Sequence, residues 1–264
     1  MTVIRMTEKP KLNNPVLIEG LPGVGNIGRV AVGYMIAEMK AKEFAQLYSE
    51  HFFPFVMIQN EHEMHLLKNQ FYYWKAKKKG QRDIIFLTGD CQSLSPQGHY
   101  EVSEKILDFV QQFGVKEIIT IGGLATGEIE DKPRTLGAVT DEKVMKRYSK
   151  GNIDFNVGDK VGYIVGAAGL LAGLGKERGI DGICLLGETS GFPIVTDPKS
   201  AESVLKEMRG MLGIKLEMGR LEERVKEMEK FIKKVEELQK KALSQIAKEE
   251  KAPVKGKEQL RYIG

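Results

Sequence analysis

Apolar residues along this chain follow two alternating rhythms. Nearly unbroken apolar runs occupy residues 16–19 (VLIE), 83–88 (DIIFLT), 117–121 (EIITI), 161–165 (VGYIV) and 182–187 (GICLLG). Runs of this length and composition predict strands covered on both faces. Residues 44–48, 53–58 and 70–75 are strand-like as well, and the last alternates as an edge or hairpin strand does. Between the runs the spacing becomes helical. Over residues 27–40, Ile27, Val30, Ala31, Tyr34, Met35 and Met39 share one face. Residues 95–113 form a second predicted helix, with Ser95 as N-cap and Pro96 at its first position. Residues 166–178 are a third, rich in Gly and Ala, which lets neighbouring elements approach closely. The alternation predicts a three-layer α/β/α sandwich around a mainly parallel sheet.

After Asp197-Pro198-Lys199-Ser200 the rhythm changes. Residues 201–212 read as one helix, and a heptad then takes over. Met211, Met218, Val225, Ile232, Gln239 and Ile246 fall at one seam position; Ile214, Leu221, Met228, Val235 and Ala242 fall at the other. No Gly or Pro interrupts residues 220–248, about eight helical turns. Phe231 and Leu238 widen the apolar face beyond a two-stranded seam. Leu221, Val225, Met228, Ile232 and Val235 would therefore hold several such helices together as a coiled coil, or hold this one against the globular body. The predicted organisation is an α/β body over 1–214, a long helix over 215–250 and a tail over 251–264. Residues 248–257 (KEEKAPVKGK) read as a flexible tether. Leu260-Arg261-Tyr262-Ile263-Gly264 at its end is a candidate docking peptide, the plainer alternative being a frayed terminus.

Composition adjusts this picture modestly. A chain of 264 residues with 42% hydrophobic content suits one large domain plus an appendage. No apolar stretch is long enough to span a bilayer and the first residues lack a signal-like apolar region, so a soluble cytoplasmic protein is expected. Two cysteines, Cys91 and Cys184, offer neither a disulfide framework nor zinc spacing. The net charge of +4 resides in residues 219–264, where 13 Lys and Arg face 9 Asp and Glu, leaving the body neutral. That excess is too mild, and too interleaved with Glu, to indicate nucleic acid; acidic protein partners fit better.

The chemistry on offer centres on Gly23-Val24-Gly25-Asn26-Ile27-Gly28, between a predicted strand and a predicted helix. It spells the dinucleotide fingerprint, in which glycines admit a pyrophosphate to a helix N-terminus. Leu21-Pro22 intervene after the strand, however, and no acid stands cleanly at the end of the next one. The same stretch nearly spells a P-loop, but Arg29-Val30 replace Lys and Ser/Thr, and Val30 has no hydroxyl for magnesium. The competing reading is a tight turn that packs helix on sheet. Asp90, Glu128 and Glu188 follow predicted strands, where α/β proteins bind ligands and where acids also cap turns. With Gly23, Gly25 and Gly28 they define an alternative function, an enzyme for a nucleoside- or nucleotide-like ligand. His62 and His65 in NEHEMH lack a third metal ligand and read as exposed hairpin positions.

Four segments taken in order resemble one family. PVLIEGLPGVGNIGRVAVGYMI, FPFVMI, IITIGGLATG and LLGETSGFP are similar to the proteasome assembly chaperone 2 family, archaeal homologues in particular, over residues 15–212. The resemblance implies a phosphorylase/hydrolase-like α/β/α fold without known catalysis, cofactor or metal. It implies a homo-oligomer, a tetramer slightly ahead of a pentamer, that assists assembly or activation of the proteasome core particle through its α subunits. Proteins of this kind often end in hydrophobic–Tyr–any residue, a tail that enters pockets between α subunits with its carboxylate paired to lysine. Here Tyr262 is third from the end and Arg261 precedes it, so the motif is offset. Leu260, Tyr262 and Ile263 would anchor, and the Gly264 carboxylate would supply the ionic contact.

Overall fold

In chain order the elements are β1 (Thr2–Met6), β2 (Val16–Glu19), α1 (Ile27–Met39), β3 (Lys42–Ser49), β4 (Val56–Gln59), β5 (Glu63–Leu66), β6 (Asn69–Trp74), β7 (Ile84–Gly89), α2 (Pro96–Gln111), β8 (Glu117–Ala125), β9 (Thr135–Val139), α3 (Glu142–Tyr148), β10 (Ile153–Asp154), α4 (Ala167–Glu177), β11 (Asp181–Thr189), α5 (Pro198–Leu212) and α6 (Leu221–Lys251). They come from a computed structural model that describes residues 1–128, 131–158, 161–191 and 196–251, with backbone alone for Phe231 and residues 245–251. The terminal peptide Leu260–Gly264 lies outside the described residues.

Four of the doubly covered strands stand together. The sheet runs β1-β3-β6-β7-β2-β8-β11-β9-β10. Its middle, β7, β2, β8 and β11, is parallel. Outward from β7 the strands β6, β3 and β1 are antiparallel, and on the other side β9 is antiparallel to β11. The sheet is therefore mixed, not mainly parallel. The connections explain it: β3 reaches β6, and β6 reaches β7, without the intervening helix that would carry the chain back for a parallel pairing. Residues alternate between two cores. Val16, Ile18 and Phe86 face α1, α3 and α5; Leu17, Ile85 and Leu87 face α2 and α4. Helix starts follow sequence signals. Ser95 Oγ accepts from Gly98 N at 3.1 Å and Asp197 Oδ1 from Ser200 N at 3.0 Å. No helix among the described residues is long and apolar enough to cross a membrane.

Two further expectations meet a different outcome. Residues 161–165 are not a strand but a loop before α4, with Tyr163 and Val165 exposed. Gly162 interrupts the apolar run, and Gly166 at φ 84° turns the chain into α4. His65 is not an idle surface residue: its Nε2 lies 2.7 Å from the buried Asp90 carboxylate. The β4–β5 pairing carries it there, because Met57 opposite it is buried.

The long helix shows where its seam goes. Leu221, Val225 and Ile232 join the core beneath α1 and α5, Val235 joins the other core, and Met228 packs partly buried beside them. Gly33 of α1 makes room, since a Cβ there would stand 3.1 Å from Met228 Sδ. Polar contacts fix the docking: Tyr34 Oη donates to Glu217 O, Thr196 Oγ1 to Glu229, and Asn26 Nδ2 to Glu236 Oε1 at 2.7 Å. Of the two ways to bury the seam, burial against the chain's own body accounts for these five residues. Ile232→Ala should accordingly cost about 3 kcal/mol of unfolding free energy. Urea titrations at two protein concentrations a hundredfold apart would show the same loss at both. A loss that grows on dilution would instead place Ile232 in a contact between chains.

Candidate functional site

The glycine turn after β2 is governed by backbone contact. A Cβ on Gly20 would lie 2.1 Å from Gly28 O, and one on Gly28 would lie 2.3 Å from Ile121 O of β8. Side chains at either position are excluded, so α1 begins pressed onto the central strands. Gly25 and Asn26 are both left-handed, at φ 62° and 50°, and Asn26 N donates to Gly23 O at 2.9 Å to close the turn. Gly23 is extended, a conformation open to any residue. Two of the three glycines that suggest a nucleotide, Gly25 and Gly28, thus have turn or packing duties. Arg29, in the place of the P-loop lysine, is buried and points elsewhere, 3.9 Å from Asp90 Oδ1. Val30 is wholly buried.

The three candidate acids are held apart by separate partners. Asp90, after β7, takes His65, Arg29 and the Lys68 N–H, the last at 3.0 Å. Glu188, on β11, is gripped by Arg134 through its guanidinium and its backbone N–H. Glu128 is exposed beyond β8, its N–H directed at Thr126 Oγ1. Among the described residues one cluster has metal-ligand spacing, Glu50, His51 and Glu101. Its members are already paired, His51 with Glu101 at 2.8 Å and Glu50 with the N-terminal ammonium.

A cavity of about 630 Å³ opens where none of those acids stands. It lies at the carboxyl ends of β2 and β8, between the glycine turn, the 161–166 loop and the start of α4. Gly23 and Gly28 line it; so do Leu21, Ile121 and Leu186. Gln92 ties two of its walls together, donating to Pro22 O at 2.6 Å and accepting from Ala167 N at 2.8 Å. Its most unusual member is Glu19, the last residue of β2 and only 1% exposed. Leu21 N donates to Glu19 Oε1 at 2.9 Å, while Oε2 has no partner. Burial pushes this carboxyl up to about 7, against the two backbone N–H groups of Leu21 and Ile121 that favour its charge. Nothing in the sequence analysis singled out Glu19. The signal was present as an acid closing an otherwise apolar strand, VLIE, just before the turn. The two thiols are chemically quiet: burial raises Cys91 and Cys184 to about 12.

These features define a mixed α/β protein in three layers, with a glycine turn that packs its first helix and a cavity at the strand ends. More specifically, the chain belongs to the PAC2 family, whose profile matches residues 17–236. It is similar to the crystal structure of Pyrococcus furiosus PbaB, an archaeal proteasome activator. The identity there is 45%, the TM-score 0.80, and the match covers 89% of this chain and 98% of that one. Pyrococcus furiosus PbaA, an archaeal homolog of proteasome-assembly chaperone, shares the fold at 23% identity and TM-score 0.73, over 92% of this chain and 99% of that one. An uncharacterized protein of Methanocaldococcus jannaschii is 35% identical over 253 residues, covering 96% of this chain and 93% of its own.

Two substitutions test this geometry. Gly28→Ala should destabilise by about 2–3 kcal/mol, because its Cβ meets fixed backbone. Gly173→Ala in α4, with nothing within 4 Å, should stabilise by about 0.5–1 kcal/mol. Chemical denaturation of both reads the contrast, and equal effects would contradict it. Glu19 makes a pH prediction. Its folded-state value near 7 exceeds the ordinary 4.5, so between those limits the folded protein holds the extra proton. Stability contributed by this group therefore falls as pH rises from 4.5 to 7, by up to about 3 kcal/mol. Glu19→Gln should melt several degrees higher than the parent at pH 8, with the gap closing by pH 5. A gap independent of pH would rule this out.

Proposed function

We propose that this chain is a non-enzymatic chaperone or adaptor that forms a homo-oligomer and binds α subunits of the proteasome core particle. It assists assembly or activation of that particle, partly through its C-terminal tail, in the cytoplasm and without a cofactor. The observation that carries the reading is the 45% identity to PbaB over nearly the whole of both chains. At that level partner surfaces, and not only the fold, are shared far more often than lost. The rival nucleotide reading has less to stand on, because Gly20 and Gly28 are occupied by backbone packing and Arg29 faces Asp90.

In this proposal Leu221, Val225, Met228, Ile232 and Val235 serve the assembly indirectly. They set α6 on the body, so that every copy in a tetramer or pentamer carries its tail from an equivalent point. The sequence of the tail suits capture by a grooved partner. Tyr262 offers a large amphipathic anchor with few torsions to freeze, flanked by apolar Leu260 and Ile263. Arg261 and the Gly264 carboxylate add opposite charges. Several tails on one oligomer would raise the effective concentration at a ring that repeats its pocket.

Native mass spectrometry of the protein mixed with proteasome α subunits from the same organism tests this. The full chain should form a complex that a version ending at Gln259 loses. A complex that survives truncation moves the interface to the body or to α6. No complex with either version overturns the proposal.

A further inference from the structure

The cavity at the ends of β2 and β8 has the make-up of a binding site, a matter separate from the proteasome reading. Strand β2 connects onward through α1 on one face of the sheet, toward β3, β6 and β7. Strand β8 leads on through β9, α3, β10 and α4 to β11, all on the opposite side of the β2–β8 pair along the sheet. Their carboxyl ends therefore part, and the crevice left between such strands is where open α/β sheets hold ligands. Its volume, about 630 Å³, falls in the range of small-molecule pockets.

The lining narrows the chemistry. Gly28, Gly122 and Gly123 bring backbone to the cavity, and Leu21, Ile121 and Leu186 make it apolar. The described lining includes no Lys or Arg, and burial holds the imidazole of His99 toward its neutral form, so a phosphate would find no counter-charge there. What the cavity does hold is one buried acceptor without a donor, Glu19 Oε2. A buried polar atom left unpaired is destabilising, and a ligand donor would recover that loss. Gln92, the other polar group near the turn, spends both ends of its amide on backbone.

We infer that this cavity binds a small, uncharged organic molecule with an apolar body and an N–H donor, which Glu19 Oε2 accepts. Tyr163 and Val165 line the same cavity at 82% and 75% exposure, and the ligand would enter past them. The Leu21 N–H holds the Glu19 carboxyl through Oε1, so Oε2 is the oxygen left for the ligand.

A matched pair of probes tests the inference on the full-length protein. Benzimidazole carries an N–H; 1-methylbenzimidazole keeps the ring and loses that donor. Isothermal titration at pH 8, above the value near 7 at which Glu19 gives up its proton, should show benzimidazole binding at least tenfold more tightly. In Glu19→Gln the Leu21 N–H should hold the amide oxygen in the place of Oε1, leaving the NH₂ in the place of Oε2. That variant should lose the preference for benzimidazole. Val24→Trp, at the cavity wall, should lose both probes without lowering the melting temperature. Equal affinity for the two probes, no heat from either, or an unchanged preference in Glu19→Gln would each overturn the inference.

Discussion

The contact between Gly20 and Gly28 is the constraint on which the rest of this structure depends. It brings the first turn of α1 against β2, while Gly28 meets the carbonyl of Ile121 on β8 and Gly123 meets the carbonyl of Val24. Three backbone segments thereby approach without side chains between them. Helix α1 can then sit low on the sheet, with Ile27, Val30 and Ala31 wholly buried. The same closeness leaves the other side of the turn facing the cavity, through Gly23, Val24 and Gly28. Packing and cavity are two results of one absence of side chains.

Burial of charge is handled in two ways along the sheet. At the start of β8 and β11, Glu117 pairs with Arg82 and Arg147, and Asp181 with Arg147 and Lys143. The Tyr148 hydroxyl adds a further donor to Glu117. Both acids there have cations beside them, as buried or half-buried charges in a structural ion network do. At the carboxyl end Glu19 has two backbone N–H groups and no cation close enough to appear among its influences. Neutral and ionised forms are then close in free energy, a condition structural carboxylates seldom meet.

Much of the body was legible in the sequence because its signals are local. An apolar run such as VLIE at 16–19 specifies a doubly covered strand, and Ser95-Pro96 specifies a helix start, whatever surrounds them. The edges were less legible. Strands β1 and β10 at the two edges, and the short β9 beside β10, were missed, since a short strand near the rim of a sheet is defined by its partner and not by its own pattern. The heptad from Leu221 to Val235 recorded an apolar stripe faithfully without saying what would cover it. The site was harder still. The letters of the glycine motif drew attention, yet they encode contacts between backbones. Glu19 matters because of where β8 and α4 bring their own ends, and no single-chain periodicity contains that information.

The hydrogen bond from Asn26 to Glu236 has a consequence for anyone who wishes to shorten this protein. Asn26 belongs to the glycine turn, and Glu236 lies halfway along α6. A cut placed at the apparent boundary near residue 214 would bare the apolar strip on which Leu221, Val225 and Ile232 rest. It would also strip one support from the turn that walls the cavity. The smallest soluble unit accordingly ends beyond residue 236, well inside what looks by eye like a detachable arm.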